Sequence, residues 1–293
     1  MEFDLCEKYL EICKGETPAV FNGKDIVFKH CKIFDISKID REKKKSLDWA
    51  RSRKMISLDQ AIQISIKNGK WSQEKEMLLN RKIDSYKMLW SRRGKIKHVS
   101  GIKSFHEQIA EMKGEINGDY VERNINLSEN CESYSRETAY DYEVISMSYN
   151  LDGTRLFAES EIDDLSAENV KLLRDQYSLE ILQIDDDFFK RIHVLEYFYS
   201  LYDNFSLSPS DFFKKPAYEL TVSQSSFLKI ARRYNEILKI SYDAPEEFHS
   251  NFDMMETYAI VKNNGGAESS DATDNLESLE KDINEGREKR GFG

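Results

Sequence analysis

The chain has 293 residues, 40% hydrophobic and 33% charged, with a formal net charge of -10, a sequence pI near 5.2 and a mean hydropathy of -0.65. That length is too great for one small domain and enough for two modest ones, and the polarity predicts narrow apolar stripes beneath wide solvated faces. Four scattered cysteines (Cys6, Cys13, Cys31, Cys131) exclude a disulfide framework, no apolar run approaches the ~20 residues of a membrane helix, and the acidic start Met1–Asp4 is not that of a secretory leader, so the setting expected is cytosolic.

Only 4 prolines and 13 glycines interrupt the chain, which favours long helices over a many-turned β architecture. Residues 2–14 place Phe3, Cys6, Leu10 and Cys13 on one helical face, and Gly15 is a natural stop. Ala19–Phe21, Asn22-Gly23 and Ile26–Phe28 read as a β-hairpin, because Asn-Gly readily adopts the positive φ angles of a tight turn. A lone hairpin is marginal, so it must pack on the helices, pair with a third strand or add to a partner's sheet. Ile33–Ser37 is a candidate for that third strand, or for a cap on the next helix.

Residues 38–55 are expected as a basic helix anchored by Ile39, Leu47, Trp49 and Ala50. Ser57 and Gln60 have capping-box spacing before a short helix, and Trp71-Ser72 opens a longer one to about Trp90. Ile102, Phe105, Ile109 and Met112 predict another helix within 95–113, and 114–126, with Asn117-Gly118, reads as a linker. Across 127–149 a stripe of Tyr134, Thr138, Tyr142, Ile145 and Tyr149 suits a half-buried face. Ser166 starts the next helix, and Asp185–Asp187 precede the aromatic stretch 188–202, where anions suit a helix N-terminus.

Lys215-Pro216 stops the segment before it. Thr221 and Gln224 then form a capping box before Phe227, Leu228, Ile230, Ala231, Tyr234, Ile237 and Leu238, a helix of about five turns. Residues 248–261 add a last element. From Asn263 to Gly293 the chain has almost no apolar side chains and is expected to be a disordered acidic tail, with Leu276, Leu279, Ile283 and Phe292 as its anchors. The fold class expected is mainly α: a multi-helix assembly with a small N-terminal β-hairpin, divided as 1–36, 37–113, 127–262 and 263–293.

Little in the sequence is chemistry. Ser148, Asn150, Asp152, Gly153, Thr154 and Glu159 approach an EF-hand loop, but the first carboxylate is missing and Arg155 intrudes, so a simple turn is the preferred reading. Cys6, Cys13, His30 and Cys31 form a zinc set only if the hairpin folds back on the first helix, and adjacent His30 and Cys31 point to opposite faces of a strand. His193, in an apolar helix, reads as a core residue. Nucleophile-elbow, phosphate-loop, dinucleotide and zinc-protease signatures are absent from the sequence, so a non-enzymatic chain without cofactor or metal is expected. The basic region 38–103, with Lys43, Lys44, Lys45, Arg92 and Arg93, makes nucleic acid the rival partner.

Two stretches carry a resemblance. Residues 34–76, with Ser57, Asp59, Ala61, Gly69, Trp71 and Ser72, and residues 206–238, with Phe212, Phe213, Pro216, Glu219, Leu220, Thr221, Arg233 and Tyr234, resemble a group of proteins from tailed bacteriophages. The resemblance spans about half the chain, and its motifs are caps and anchors. It implies a virion component or a tail or head–tail assembly factor, such as a tail-assembly chaperone. Its partners would be other phage structural proteins and the chain itself, with no membrane. It would act in the host cytoplasm during assembly or in the virion. Phe21, Tyr142, Tyr234 and Phe292 are the candidate contact positions, with core packing the alternative for the first three.

Overall fold

The computed structural model describes residues 2–195 and 209–264. The expected tail, with Leu276, Leu279, Ile283 and Phe292, and the part of the aromatic stretch beyond residue 195 lie outside them. Within them the chain is mainly α with one small antiparallel sheet. Its elements are α1 (Glu2–Lys14), β1 (Glu16–Phe21), β2 (Lys24–Lys29), α2 (Ile33–Ser52), α3 (Leu58–Lys67), α4 (Gln73–Arg92), α5 (Val99–Ile125), α6 (Cys131–Met147) and β3 (Ser148–Asn150). After these come α7 (Ala167–Glu180), α8 (Asp186–His193), the single turn α9 (Pro209–Phe212), α10 (Val222–Ile240) and α11 (Phe252–Asn263). No described helix is long and apolar enough to cross a membrane.

Two compact units alternate along the sequence: residues 1–64 with 128–232, and residues 65–127 with 233–293. The expected ranges 37–113 and 127–262 are each shared between them.

In the first unit Asn22 (φ +50°) and Gly23 (φ +74°) make the tight turn that their dipeptide predicts, and β1 pairs with β2 in register from Glu16↔Lys29 to Phe21↔Lys24. The third strand is β3, on the far side of β2, and not residues 33–37, which are the first turns of α2. Asp35 explains that start, since its carboxylate accepts from the Lys32 N–H at 3.0 Å, and acidic side chains stabilise a helix N-terminus. β1 is left at the sheet edge, where Pro18 offers no N–H and blunts addition of a further strand. One face of the sheet packs Ala19, Phe21, Ile26 and Phe28 against Val144 and Met147 of α6 and Leu173 and Tyr177 of α7. A second core gathers around Phe227 of α10, ringed by Tyr9, Phe189, His193, Phe212 and Phe213 at centroid distances of 4.5–6.4 Å. Ser46 and Ala50 of α2 and Ser135 and Ala139 of α6 are all buried, and such small side chains let two packed helices approach closely.

The caps are as expected. Ser57 and Gln60 exchange hydrogen bonds of 2.9 and 3.3 Å, and Thr221 and Gln224 exchange two of 3.1 Å. Gln224 does more than cap. Its Nε2 donates to the carbonyls of Ile12 (2.9 Å) and Cys13 (3.1 Å), so it also closes the C-terminal end of α1.

In the second unit α4 and α5 run alongside each other, joined by Lys75–Glu122, Glu76–Arg123 and Lys82–Glu115/Asp119 ion pairs. Residues 114–126 are not a linker, because α5 continues to Ile125. Gly114 and Gly118 sit where an added Cβ would meet nothing within 4 Å, while Ile116 stays buried on the inner face. The cost of glycine in a helix, about 1 kcal/mol each, is outweighed by that burial. Trp90 packs edge-on to Phe105, and Tyr234 stacks on Phe252.

Candidate functional site

α2 is the element whose surface departs most from a plain solvated face. Ser46 and Ala50 fix which side of the helix is inward. At 100° per residue, Phe34, Lys38, Arg41 and Lys45 fall on the opposite side. Phe34 is 75% exposed, and beside it Ile33 and Ile36 are 57% and 39% exposed. Phe34 stands at the head of that cationic stripe as an exposed aromatic ledge, while Ile33 and Ile36, about 100° and 160° around the helix from it, are exposed on other sides. Lys38 pairs with Asp35 at 3.6 Å and Lys45 with Glu42, whereas Arg41, Lys43 and Lys44 are exposed and make no ion pair among the described residues. Trp49 is not part of the ledge. It stacks on Tyr134 of α6 at 5.3 Å, and the Arg53 guanidinium lies over the Trp49 ring at 5.5 Å.

The residues singled out from the sequence do not come together. Phe21 is buried, edge-on to Phe157, and Tyr234 is buried against Phe252, so core packing accounts for both. Tyr142 is half-buried on α6, and Phe292 lies outside the described residues. Arg93 is committed to Glu256 at 2.8 Å, and the same carboxylate takes Arg233. Arg92 is half-buried without an ion pair among the described residues, and Lys95 and Lys97 are exposed, likewise without one. Phe34 was readable in principle, since an aromatic in phase with Lys38, Arg41 and Lys45 marks a polar helix face. Residues 33–37, readable as a third strand or as a cap, belong to that helix.

Two buried polar networks flank the end of β2. Glu11 accepts from Lys8 (3.1 Å) and from the Thr17 hydroxyl (2.9 Å), and Thr17 Oγ1 lies 2.9 Å from His30 Nε2. A hydroxyl has one proton, which is given to the Glu11 carboxylate, so His30 Nε2 must donate and Nδ1 is the bare nitrogen. Nδ1 is buried without a partner. Burial first, then the charges of Lys8 and Lys215, pulls the His30 pKa down to about 4. On the other side Glu143 accepts from Tyr177 (2.9 Å) and Cys31 (3.6 Å), and burial, with the Glu143 charge second, pushes the Cys31 thiol far above its usual range. A thiol held protonated in this way is a poor nucleophile. His193 is likewise neutral: Nδ1 donates to the Phe189 carbonyl at 2.6 Å, Nε2 is unpartnered, and burial lowers its pKa to about 4.

The two metal-like patterns resolve into ordinary structure. Asp152 Oδ1 accepts from the Thr154 N–H (2.9 Å) and hydroxyl (2.6 Å), which closes the Asn150–Thr154 turn on itself. His30 and Cys31 point into different networks and Cys6 is exposed, so the cysteine–histidine set does not converge, and no metal-ligating cluster occurs among the described residues. A depression of about 410 Å³ at the start of α4 is lined by Lys70, Trp71, Ser72 and Lys75, with the Ser72 hydroxyl already capping the helix through the Lys75 N–H.

Family models, curated proteins and solved structures give no match to the chain.

Proposed function

We propose that this chain works by protein–protein contact, as a non-enzymatic virion component or tail or head–tail assembly factor of a tailed bacteriophage. It would act in the host cytoplasm during assembly. The observation that carries this reading is the ledge at the start of α2: Phe34 held in solvent, with Ile33 exposed next to it, on a helix whose other side is fixed by α6. Desolvating Phe34 and Ile33 on docking would release about 1.5–3 kcal/mol per side chain, enough for a contact hot spot. The resemblance of residues 34–76 and 206–238 to tailed-phage proteins supports the setting, and its first stretch begins at Phe34 itself. Quantitative mass spectrometry of gradient-purified particles and assembly intermediates tests it. A fixed copy number in either supports the reading, and absence from both contradicts it.

Nucleic-acid binding is the second reading. It is favoured by Arg41, Lys43 and Lys44, which stand exposed along α2 without an ion pair among the described residues. Electrophoretic shift of an oligonucleotide at low salt that collapses as salt rises, and is lost in Lys43→Glu/Lys44→Glu, would support it over protein docking.

A further inference from the structure

The geometry points to α4 as a self-pairing helix: its seam of Glu74, Met77, Arg81, Asp84, Met88 and Ser91 lies antiparallel against the same seam of a second copy, across a two-fold axis. This surface belongs to the second unit, apart from Phe34, and the inference stands whether or not the chain is a phage component. The six residues recur at alternating spacings of three and four, the a/d repeat of a coiled coil, and all six are exposed. The other side of the helix is taken up within the unit. Leu79 is buried there, and Lys75 and Lys82 reach across to carboxylates of α5. On the exposed seam Met77 and Met88, 47% and 41% exposed, sit in phase on either side of Arg81 and Asp84.

The order of the charges identifies the occupant. In an antiparallel coiled coil each a position faces a d position. With the two-fold axis midway between Arg81 and Asp84, Arg81 faces Asp84 of the second copy, Met77 faces its Met88 and Glu74 faces its Ser91. Each layer occurs twice, as a contact between identical surfaces requires. A parallel pair would instead set Arg81 on Arg81, Asp84 on Asp84 and Glu74 on Glu74, three layers of like charge that oppose it. The seam therefore matches its own reverse and rejects its own copy in the same direction. It is about 26 Å long and carries two apolar layers, so the contact belongs to the weak class, with a Kd on the order of 10 to 100 µM.

Sedimentation velocity of the full-length chain, from about 1 to about 200 µM so as to bracket that Kd, tests the pairing. A concentration-dependent monomer–dimer equilibrium is expected. Arg81→Asp and Asp84→Arg each bring like charges together in both central layers and should weaken dimerisation at least about tenfold. An equimolar mixture of the two single variants sets opposite charges against each other again, so it should dimerise about as tightly as wild type where neither variant does alone. That rescue requires both variants to be folded, which separates a lost contact from a lost fold. A wild-type chain that stays monomeric throughout the range, a dimer indifferent to either charge reversal, or a mixture that stays monomeric would overturn the inference.

Discussion

His30 and His193 set the acid limit of the first unit. Each has a folded pKa of about 4 against 6.5 when exposed, because burial opposes the charged ring. Between those values the unfolded chain binds protons that the folded chain refuses. Stability is therefore full above about pH 6.5, falls as pH drops through the window and levels off below about 4, by about 3 kcal/mol per histidine. Urea titrations across this window should show the slope. His30→Gln, which keeps a donor for Thr17, should remove about half of it; an unchanged slope would exclude His30 as a source. The thiols give a second test at this scale. Cys6 is exposed, while Cys31 and Cys131 are held by Glu143 and by the Met55 carbonyl. Iodoacetamide labelling with mass-spectrometric readout should modify Cys6 first, and Cys31 and Cys131 only on unfolding.

The elements were legible where a local rule decided them. The Asn22-Gly23 turn, the Ser57/Gln60 and Thr221/Gln224 boxes and the spacing of Phe227, Ile230, Tyr234 and Ile237 are short-range chemistry, and each stands where that chemistry puts it. The readings that failed depended on partners distant in sequence. Gly114 and Gly118 look like a linker until the buried side of α5 is known, and no local signal announces that Ser148–Asn150 pairs with β2. Two of the candidate contacts show a related limit: an aromatic side chain does not declare whether it faces in or out, and Phe21 and Tyr234 face in, as the core-packing alternative had it. Gln224 shows how much a local reading omits. Thr221→Ala removes one cap bond and should cost about 1 kcal/mol. Gln224→Ala also strands the Cys13 carbonyl, leaves the Ile12 carbonyl with only the Gly15 N–H at 3.1 Å, and should cost about 2 kcal/mol or more. Chemical denaturation of both variants checks the order, and equal losses would mean the link to α1 contributes nothing.

At the scale of the whole molecule, the chain alternates between two units, so each is built from two separated stretches of sequence. Neither unit is complete until residues beyond 128 and 233 have been made, which places much of the fold's stability in contacts of long sequence separation and predicts slow folding relative to a local helical bundle. Among the described residues the first unit packs two cores, and Ile33 and Phe34 at the start of α2 are exposed. Phe34, 75% exposed, adds little to that unit's own stability, and in the function proposed above it serves docking. Phe34→Asp should leave stability in urea within the spread of ordinary surface changes, about 0.5 kcal/mol, while removing the docking surface.

The most direct measurement is the copy number of Phe34→Asp relative to wild type in purified particles and assembly intermediates, by quantitative mass spectrometry, alongside its denaturation midpoint. The account predicts a folded variant with an unchanged midpoint that is depleted roughly tenfold or more from both fractions, as loss of a hot-spot side chain implies. Incorporation at the wild-type level by that folded variant would contradict it.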